Sequence, residues 1–507
     1  MGIVRKNVIA NYLGQGWSAL MALAFVPLYI KYLGMEAYGL IGIFALLQAW
    51  MVLLDMGMTP ALSREMARFT GGARDAQSTR DLLRSVEVMA FGVAVVIALG
   101  IWVVSRWLAS DWLRAEKLPV DDVARAFTVM GVVTALRFVE NIYRSAIGGL
   151  QRQVMLNVIM SIMATVRGLG AVGILVWVSP TIDAFFVWQG ILSIVTVGIF
   201  AAFLHHALPP VERTARFSLT ALKGIRKFAA GMMTITFLAL LLTQVDKILL
   251  SRLLTLEAFG YYALAGTVAN ALYVLPGPVS TAFYPRLTEL MARADGAGLI
   301  NAYHKGAQLV TVLMGAAAIV LIVFGDVVMT LWTADHALAR QVSPLVAVLA
   351  LGTLLNGLMW IPYQTQLAHG WTSLGVKVNV VAVAAIVPAI LWATPKYGAI
   401  GAAWVWVALN AGYVTIAISL MHRRLLTTEK WRWYQEDVAM PLLAGAAVAV
   451  LLRWAMPVFS GSWAQLTALS ISGILVLAAA ALAAQTLRRQ LVCFLPRKLR
   501  SFCVRTV

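Results

Sequence analysis

The sequence has few charged residues for its length. Only 12% of its 507 residues are Asp, Glu, Lys or Arg, whereas about a quarter of the residues in a soluble globular domain are charged. So few charges cannot give a soluble body of this size a water-compatible surface. The shortage excludes a large soluble enzyme or receptor, and lipid must therefore cover most of the surface.

Cysteines and nucleotide-binding motifs are also scarce. The chain has two cysteines, Cys493 and Cys503, and their spacing fits no zinc motif. Its six histidines are scattered near the ends of apolar runs and form no ligand cluster. A GxxxxGK(S/T) loop is missing, so the sequence carries no ATP motor. We expect no metal, no cofactor and no disulfide.

Long apolar runs are abundant. Hydrophobic residues make up 61% of the chain, and runs of roughly 20 residues recur, each long enough to cross about 30 Å of hydrocarbon as a helix. The loops between them are too short to hold a soluble domain. We therefore predict an all-α polytopic membrane protein of about fourteen transmembrane helices. The predicted spans are 8–30, 38–60, 85–107, 123–148, 154–178, 183–205, 228–251, 258–282, 306–332, 343–367, 373–394, 398–421, 437–458 and 462–485.

Basic residues favour one side of these spans. Arg5 and Lys6 precede a first run that is longer than the apolar core of a signal peptide, so we interpret it as a permanent span. With that end inside, roughly 28 of the 40 Lys and Arg residues fall on inside segments and roughly 8 on outside segments. The bias predicts that both termini are cytoplasmic. It also explains the net charge of +18 without a nucleic-acid partner.

A short sequence pattern occurs twice. LGMEAYG at 33–39 ends the first loop, and LTLEAFG at 254–260 ends the loop after the seventh predicted span. A basic pair precedes the first span and another precedes the seventh at the same offset. The tripeptide MAR recurs at 66–68 and 291–293, after a four-residue slip. Several matches in the same order indicate an internal duplication.

The duplication predicts how the chain is organised. Both copies start inside and six predicted spans separate them, so they have the same orientation. Parallel repeats of this kind form two transporter lobes related by an axis along the membrane normal. We predict two parallel six-helix lobes plus two C-terminal helices. The parts are an N-lobe at 1–205, a cytoplasmic linker at 206–227, a C-lobe at 228–421, two spans at 437–485 and a basic cytoplasmic tail at 486–507.

Several short segments together indicate a family. They are PLY at 27–29, YGL at 38–40, LDMGMTP at 54–60, REMAR at 64–68, GLQRQ at 149–153 and QVDKILLS at 244–251. In these segments the chain resembles the bacterial polysaccharide-unit (O-antigen and exopolysaccharide) flippases, which belong to the multidrug/oligosaccharidyl-lipid/polysaccharide exporter superfamily. The likeness covers essentially the whole chain and is strongest in the first eight predicted spans.

The resemblance implies a function and a location. A member of this family is a two-lobed transporter of the bacterial inner membrane and not an enzyme. It moves undecaprenyl-diphosphate-linked oligosaccharide from the cytoplasmic to the periplasmic leaflet for lipopolysaccharide or exopolysaccharide assembly. The implied partners are the lipid-linked oligosaccharide, membrane lipid, and polysaccharide polymerase and chain-length proteins.

Charged residues within spans are the main candidate site residues, because a charge in lipid is costly and usually faces a cavity or a partner. Arg137 lies near the middle of the fourth predicted span, and Glu140 and Asn141 follow it on one helical face. This face either lines a lumen that binds phosphate or sugar, or it holds a structural ion pair between Arg137 and Glu140.

Arg167 is the matching candidate in the fifth predicted span, at a depth similar to that of Arg137. Two guanidinium groups suit a diphosphate, because each presents a planar fork of donors. The alternative is that Arg167 neutralises Glu140. We predict that both arginines face a shared cavity in the N-lobe and engage an anionic headgroup.

Three further charged residues are weaker candidates. Asp246 and Lys247, toward the outer end of the seventh predicted span, either contact sugar or form an outer gate, or else form a salt bridge. Asp55, near the inner end of the second span, is a candidate for ion coupling. Its alternative role is an interfacial ion pair with Arg64 or Arg68.

Uncharged polar residues also recur inside the spans, among them Gln15, Gln48 and Asn270. A sugar offers many hydroxyl groups, so such side chains suit a glycan passage. Hydrogen bonding between helices is at least as common a use for them.

The best interpretation is a secondary, ATP-independent flippase, and three alternatives stay open. A peptidoglycan lipid-precursor flippase would share most of the architecture. A cation-coupled drug exporter of the same superfamily should carry a carboxylate in its first span, and this chain has none there. A membrane glycosyltransferase or polymerase would be an enzyme and would need a larger outer loop than this sequence provides.

Overall fold

The computed structural model is built from helices. It describes residues 2–72, 75–211, 213–371, 373–455 and 461–494, and within these ranges it has no strand longer than an isolated bridge. A chain in lipid must satisfy its backbone hydrogen bonds internally, which is why long apolar runs fold as helices. The predicted all-α class is confirmed.

The helices are numbered in chain order. They are α1 Gly2–Ala24, α2 Val26–Leu33, α3 Met35–Leu54, α4 Met58–Thr70, α5 Ala76–Trp107, α6 Val120–Gly149, α7 Gln153–Trp177, α8 Ile182–Ala207, α9 Leu219–Leu253, α10 Leu256–Asn270, α11 Pro276–Ala292, α12 Gly296–Val323, α13 Gly325–Thr333, α14 His336–Leu358, α15 Trp360–Ala368, α16 Ser373–Gly412, α17 Ile418–Arg424, α18 Lys430–Arg432, α19 Met440–Ala455, α20 Ser462–Ala483 and α21 Gln485–Phe494.

The predicted spans coincide largely with these helices. Within the described ranges, ten helical segments are long and apolar enough to cross a membrane. One of them, Ser373–Arg424, covers the eleventh and twelfth predicted spans together. Helix α16 within it is broken at Gly398, where the twelfth predicted span begins. Helix α6, which carries Arg137 and Glu140 in its interior, is not among the ten. The count of about fourteen spans stays a prediction.

The chain forms two compact units, Met1–Gly260 and Tyr261–Val507. The first holds α1 to α9 and the start of α10, and the second holds the remaining helices. This boundary lies later in the chain than the predicted linker at 206–227. The units group residues by contact, whereas the predicted lobes are copies of a repeat, so the lobe boundaries stay a proposal. Most of the predicted tail lies outside the described residues.

Helix starts recur at the spacing of the sequence repeat. Helix α3 begins at Met35 and α10 at Leu256, the same place in the two copies of the pattern. Helices α5 and α12 are each capped by an aspartate, Asp75 and Asp295, which accepts a hydrogen bond of 2.8 Å from the backbone N–H three residues later. The duplication therefore extends to local structure, and the parallel superposition of two lobes stays a prediction.

Tryptophans lie exposed at helix ends that we predict to face the periplasm. Trp177 ends α7, and Trp454 and Trp463 lie on either side of the last predicted outer loop. They are 85%, 88% and 81% exposed. An indole ring is favoured at the boundary between lipid and water, because one part is apolar and the other donates a hydrogen bond. Their exposure is therefore what a membrane-embedded helix bundle requires.

The second unit contains a buried polar network centred on α12. His304 is 1% exposed, with Nδ1 at 2.5 Å from Asp437 and Nε2 at 2.9 Å from Glu429. Gln308, one turn later, donates to Asp437 at 2.8 Å and accepts from the backbone N–H of Thr486 at 2.9 Å. These hydrogen bonds join α12 to the segment that precedes α19 and to the start of α21.

Candidate functional site

Two cavities in the first unit share part of their walls. The larger has a volume of about 370 Å³ and the smaller about 160 Å³. Helices α1, α2, α3, α6, α7 and α8 contribute to the larger cavity, and α3, α4, α6 and α9 contribute to the smaller one. Gln48 of α3 and Arg137 of α6 line both.

Arg137 is held between two glutamine side chains. Its Nη1 donates to Oε1 of Gln48 at 2.6 Å, and its Nη2 donates to Oε1 of Gln189 at 3.1 Å. Its guanidinium carbon lies 5.0 Å from the centre of the Phe44 ring, which is a cation–π distance. Within the described residues Arg137 forms no ion pair, so the structural pair with Glu140 that helical spacing favours is not made.

Glu140 pairs with Arg167 across two helices. Its Oε2 lies 3.7 Å from Nη2 of Arg167, and the two side chains are 9% and 19% exposed. The ion pair that the neutralising role of Arg167 requires is therefore formed. Arg167 also lines the larger cavity, so the structure brings it to the same cavity as Arg137.

The larger cavity has an excess of hydrogen-bond donors. Gln48 and Gln189 both turn their side-chain oxygens toward Arg137, which leaves their NH₂ groups as donors. Arg137 and Arg167 add guanidinium donors, and no carboxylate is among the described residues that line this cavity. Such a wall suits a ligand group that is negatively charged and only accepts hydrogen bonds.

Aromatic rings form another part of the same cavity. Phe25, Tyr29, Phe44 and Phe185 line it, and the rings of Tyr29 and Phe185 meet edge to face with their centres 5.0 Å apart. Gly168 of α7 lies against the Phe25 ring. A residue with a Cβ at this position would overlap the ring. The cavity therefore presents apolar surface beside its donors.

Asp55 lines the smaller cavity and is bound locally. Its carboxylate is 7% exposed and accepts hydrogen bonds from the backbone N–H of Thr59 at 3.0 and 3.1 Å and from the Thr59 hydroxyl at 2.5 Å. The alternative ion pair with Arg68 is not formed, because Arg68 pairs with a glutamate on its own helix at 3.3 Å. Asp55 thus satisfies an N–H group at the start of α4 that the helix leaves without a partner.

The other predicted site residues are divided between this region and the rest of the chain. Asn141 is exposed and lines the smaller cavity. Gln15 and Asn270 are also exposed but line neither cavity. Lys247 donates to a glutamine one turn earlier at 3.0 Å, and neither it nor Asp246 lines either cavity.

Sequence reasoning missed Gln189 and the aromatic residues of the larger cavity. Gln189 is 4% exposed and lies 52 positions from Arg137 in the chain. A single amide in the middle of an apolar helix is the signal that would have identified it, because a buried amide needs a partner. Tyr29 and Phe185 carry no such signal, since aromatic residues are ordinary components of a membrane helix.

Comparison with known proteins identifies a family that matches more than half of the chain. The family described as polysaccharide biosynthesis protein matches residues 4–291, which is more than half of the chain. A Shigella flexneri protein assigned by name as an O-antigen transporter is 19% identical over 404 residues. The match covers 79% of this chain and 93% of that protein.

Solved structures share the fold. The lipid II flippase MurJ in an inward closed conformation has a TM-score of 0.69 at 13% identity, covering 94% of this chain and 98% of that chain. A multidrug resistance MATE family transporter of the MOP superfamily, in an inward-facing conformation, has a TM-score of 0.62 at 14% identity, covering 82% and 95%. The helices are therefore arranged as in these transporters.

Proposed function

The chain belongs to the polysaccharide biosynthesis protein family, and from that premise we propose that it is a flippase for undecaprenyl-diphosphate-linked oligosaccharide. It moves this lipid from the cytoplasmic to the periplasmic leaflet without hydrolysing ATP. The observation that most supports the proposal is the donor-rich wall of the larger cavity, which Arg137 and Arg167 line together with two glutamine amides.

The charge of the substrate agrees with this assignment. A diphosphate carries roughly two negative charges, and an inside-negative potential favours their outward movement by about 2.3 kcal/mol per charge per 100 mV. The difficult step is taking a charged and hydroxylated headgroup through hydrocarbon, because unpaired polar groups are costly there. Donors that replace the lost water lower this barrier.

Each candidate residue has a role in the proposal. Arg137 and Arg167 divide the phosphate oxygens between them, and Glu140 orients Arg167. Asn141 extends the polar wall toward the smaller cavity, where Asp55 is the ion-coupling candidate.

Four residues outside the two cavities stay candidates for the rest of the passage. Gln15 and Asn270 are exposed amides suited to sugar hydroxyls, and Asp246 and Lys247 are candidates for a sugar contact or an outer gate. Polysaccharide polymerase and chain-length proteins are proposed to receive the product.

The proposed location is the bacterial inner membrane, with both termini in the cytoplasm. The support is the bias of Lys and Arg toward the predicted inside segments. A phosphatase reporter that is active only in the periplasm should be inactive when fused after Val507 and active when fused after Trp454. An active fusion at Val507 would overturn the orientation.

Three alternatives stay open, and two of them are transporters of the same superfamily. The fold of the lipid II flippase favours a peptidoglycan-precursor substrate as the second candidate. A cation-coupled drug exporter is disfavoured, because α1 contains no Asp or Glu. A membrane polymerase would build polymer when purified, which a flippase would not do.

A gene deletion tests the proposal. Cells without the chain should accumulate lipid-linked oligosaccharide on the cytoplasmic leaflet, measured by mass analysis of extracted lipids. The wild-type chain and Arg125→Ala should rescue export, because Arg125 is an exposed residue on the same helix as Arg137. Arg137→Ala should not rescue. Accumulation of a peptidoglycan precursor instead, or no accumulation, would contradict the proposed substrate.

A further inference from the structure

The second unit carries an apolar groove on α16. The helix is broken at Gly398, whose φ of 63° and ψ of −151° fall outside the helical region. The Tyr413 hydroxyl donates to Oδ1 of Asn379 at 3.1 Å, so the parts before and after Gly398 run back along each other. The groove between them has a volume of about 590 Å³.

Small residues on both parts of the hairpin shape this groove. Ala382, Ala385 and Ala389 line it from the first part at helical spacing, and Ala408 and Gly412 line it from the second. Larger aliphatic side chains such as valine, leucine and isoleucine form the remaining walls. The groove is thus an apolar slot, and the short side chains of these residues leave open space along its base.

Positive charge is confined to one mouth of the groove. Lys377 is the only charged residue among the described residues that line it, and its side chain is exposed. Arg423 and Arg424 are exposed at the end of α17, one turn beyond the groove residue Leu420. The guanidinium of Arg424 lies 4.6 Å from the centre of the Trp371 ring. The Lys and Arg bias assigns this mouth to the cytoplasmic side.

The depth of the groove matches one leaflet. Ala389, the last residue of the first part of α16 that lines the groove, follows Lys377 by about three turns of helix, which is about 18 Å of rise. Half of a hydrocarbon core of about 30 Å is about 15 Å. A chain that enters beside Lys377 therefore reaches the groove's end near the membrane midplane. An acyl chain of ordinary phospholipid fits this length, whereas a longer isoprenoid chain would extend beyond the residues that line the groove.

We propose that the α16 groove binds an anionic phospholipid of the cytoplasmic leaflet, with one acyl chain in the slot and the phosphate beside Lys377. The apolar walls cover the chain, and the basic mouth selects a headgroup with net negative charge. The bound chain fills the space between the two parts of α16. This lipid site is separate from the cavities that contain Arg137 and does not depend on the proposed substrate.

Lipid retention by the purified full-length chain tests the proposal. The chain is exchanged into nanodiscs that contain equal amounts of phosphatidylglycerol and phosphatidylcholine with the same acyl chains. Native mass spectrometry then counts the lipids that stay bound after mild detergent release. We expect one phosphatidylglycerol to be retained in preference to phosphatidylcholine by about fivefold or more.

Two variants separate the slot from the mouth. Ala385→Trp fills the slot and should lose the retained lipid, whereas Ala478→Trp, at an exposed alanine on α20, should keep it. Lys377→Gln should keep a lipid but lose the preference for phosphatidylglycerol, and Lys223→Gln, at an exposed lysine on α9, should not change the preference. If Ala385→Trp does not fold, Ala385→Leu should weaken retention with the melting temperature preserved.

Three results would overturn the assignment. One is equal retention of the two phospholipids by the wild-type chain. Another is wild-type retention by both Ala385 variants. The third is a bound lipid that mass analysis, after purification from native membranes, identifies as an isoprenoid phosphate in place of a phospholipid.

Discussion

The guanidinium of Arg137 and the side-chain oxygen of Gln48 are joined by a hydrogen bond of 2.6 Å, and these two residues line both cavities of the first unit. Arg137 lies on α6 and Gln48 on α3, so the bond connects two helices where the cavities meet. A charge-assisted bond of this kind is stronger than one between neutral groups, and it holds the guanidinium in place. The pair therefore forms part of the wall of each cavity.

Replacing Gln48 with glutamate should block transport while preserving the fold. Glutamate has nearly the same shape, but it would form an ion pair with Arg137 and cancel the charge that a diphosphate needs. We expect export to fall by at least about tenfold, as expected for loss of a charge-pair contact. Gln48→Leu, which removes the acceptor without adding charge, should retain more activity. Equal export by wild type and Gln48→Glu at matched protein level would contradict this role.

Glu140 and Arg167 should be coupled in stability. Each single alanine substitution leaves the other charge buried without its partner, which costs about 3–5 kcal/mol for a well-formed buried pair. The double variant should lose less stability than the two single effects combined, by about 0.5–3 kcal/mol. Denaturant unfolding in detergent measures this coupling. If the losses of stability in the two single variants add up to the loss in the double variant, the ion pair at 3.7 Å does not contribute to stability.

Loss of Asp55 should affect transport less than loss of Arg137. The Asp55 carboxylate accepts hydrogen bonds from Thr59 at the start of α4, and removing such a cap costs about 0.5–2 kcal/mol. Asp55→Ala should therefore lower the melting temperature and leave substantial export in a complementation assay. Export defects that are equal to, or larger than, those of Arg137→Ala at matched protein level would reverse the ranking and favour ion coupling at Asp55.

The His304 network should make stability depend on pH through Glu429. Burial acts to raise the pKa of Glu429, but hydrogen bonds with His304 and Thr428 outweigh it, so this pKa lies below its usual value. A carboxyl group with a lowered pKa stabilises the folded chain above its unfolded pKa of about 4.3, and this contribution is lost as the pH falls through the folded pKa.

The melting temperature of wild type should therefore exceed that of Glu429→Gln near pH 7, and the difference should narrow as the pH falls toward about 4. Glu116→Gln, at an exposed glutamate, serves as the control and should show no such narrowing. A difference between wild type and Glu429→Gln that stays constant across this range would show that the Glu429 charge does not support the network.

Most helices could be predicted because lipid offers the backbone no partner outside its own helix. A run such as 183–205 must therefore be helical regardless of its neighbours, and α8 Ile182–Ala207 follows it closely. The break at Asp55–Gly57, between α3 and α4, was not predicted. Met56 and Gly57 there take positive φ values of 48° and 74°, which the apolar pattern of the run does not indicate.

The contacts of the site could be predicted only in part. The depth of Arg137 and Arg167 along their helices follows from residue number, and both do line one cavity. Their partners depend on which helix faces meet. Helical spacing favoured a bond between Arg137 and Glu140. Instead, Glu140 forms an ion pair with Arg167 of α7, and Arg137 donates a hydrogen bond to Gln48, 89 positions away.

The His304 network was missed for the same reason. Its partners Glu429 and Asp437 lie 125 and 133 positions later in the chain. His422, which also looked isolated in the sequence, lies 3.1 Å from the hydroxyl of Tyr303, whose ring packs edge to face against His304 with the centres 5.4 Å apart. Histidines that are far apart in sequence can meet only through tertiary packing, which a single sequence does not specify.

Binding of an anionic headgroup by Arg137 and Arg167 is tested most directly by flipping in reconstituted liposomes. The measured quantity is the rate at which a lipid-diphosphate oligosaccharide becomes accessible to a membrane-impermeant glycosidase. Arg137→Ala and Arg167→Ala should each slow flipping by at least about tenfold, because each removes a charged contact to the headgroup. Lys at either position should restore part of the rate, since it keeps the charge and loses the bidentate fork. Arg125→Ala should flip as wild type does. Wild-type flipping by either alanine variant, with its melting temperature preserved, would contradict the assignment.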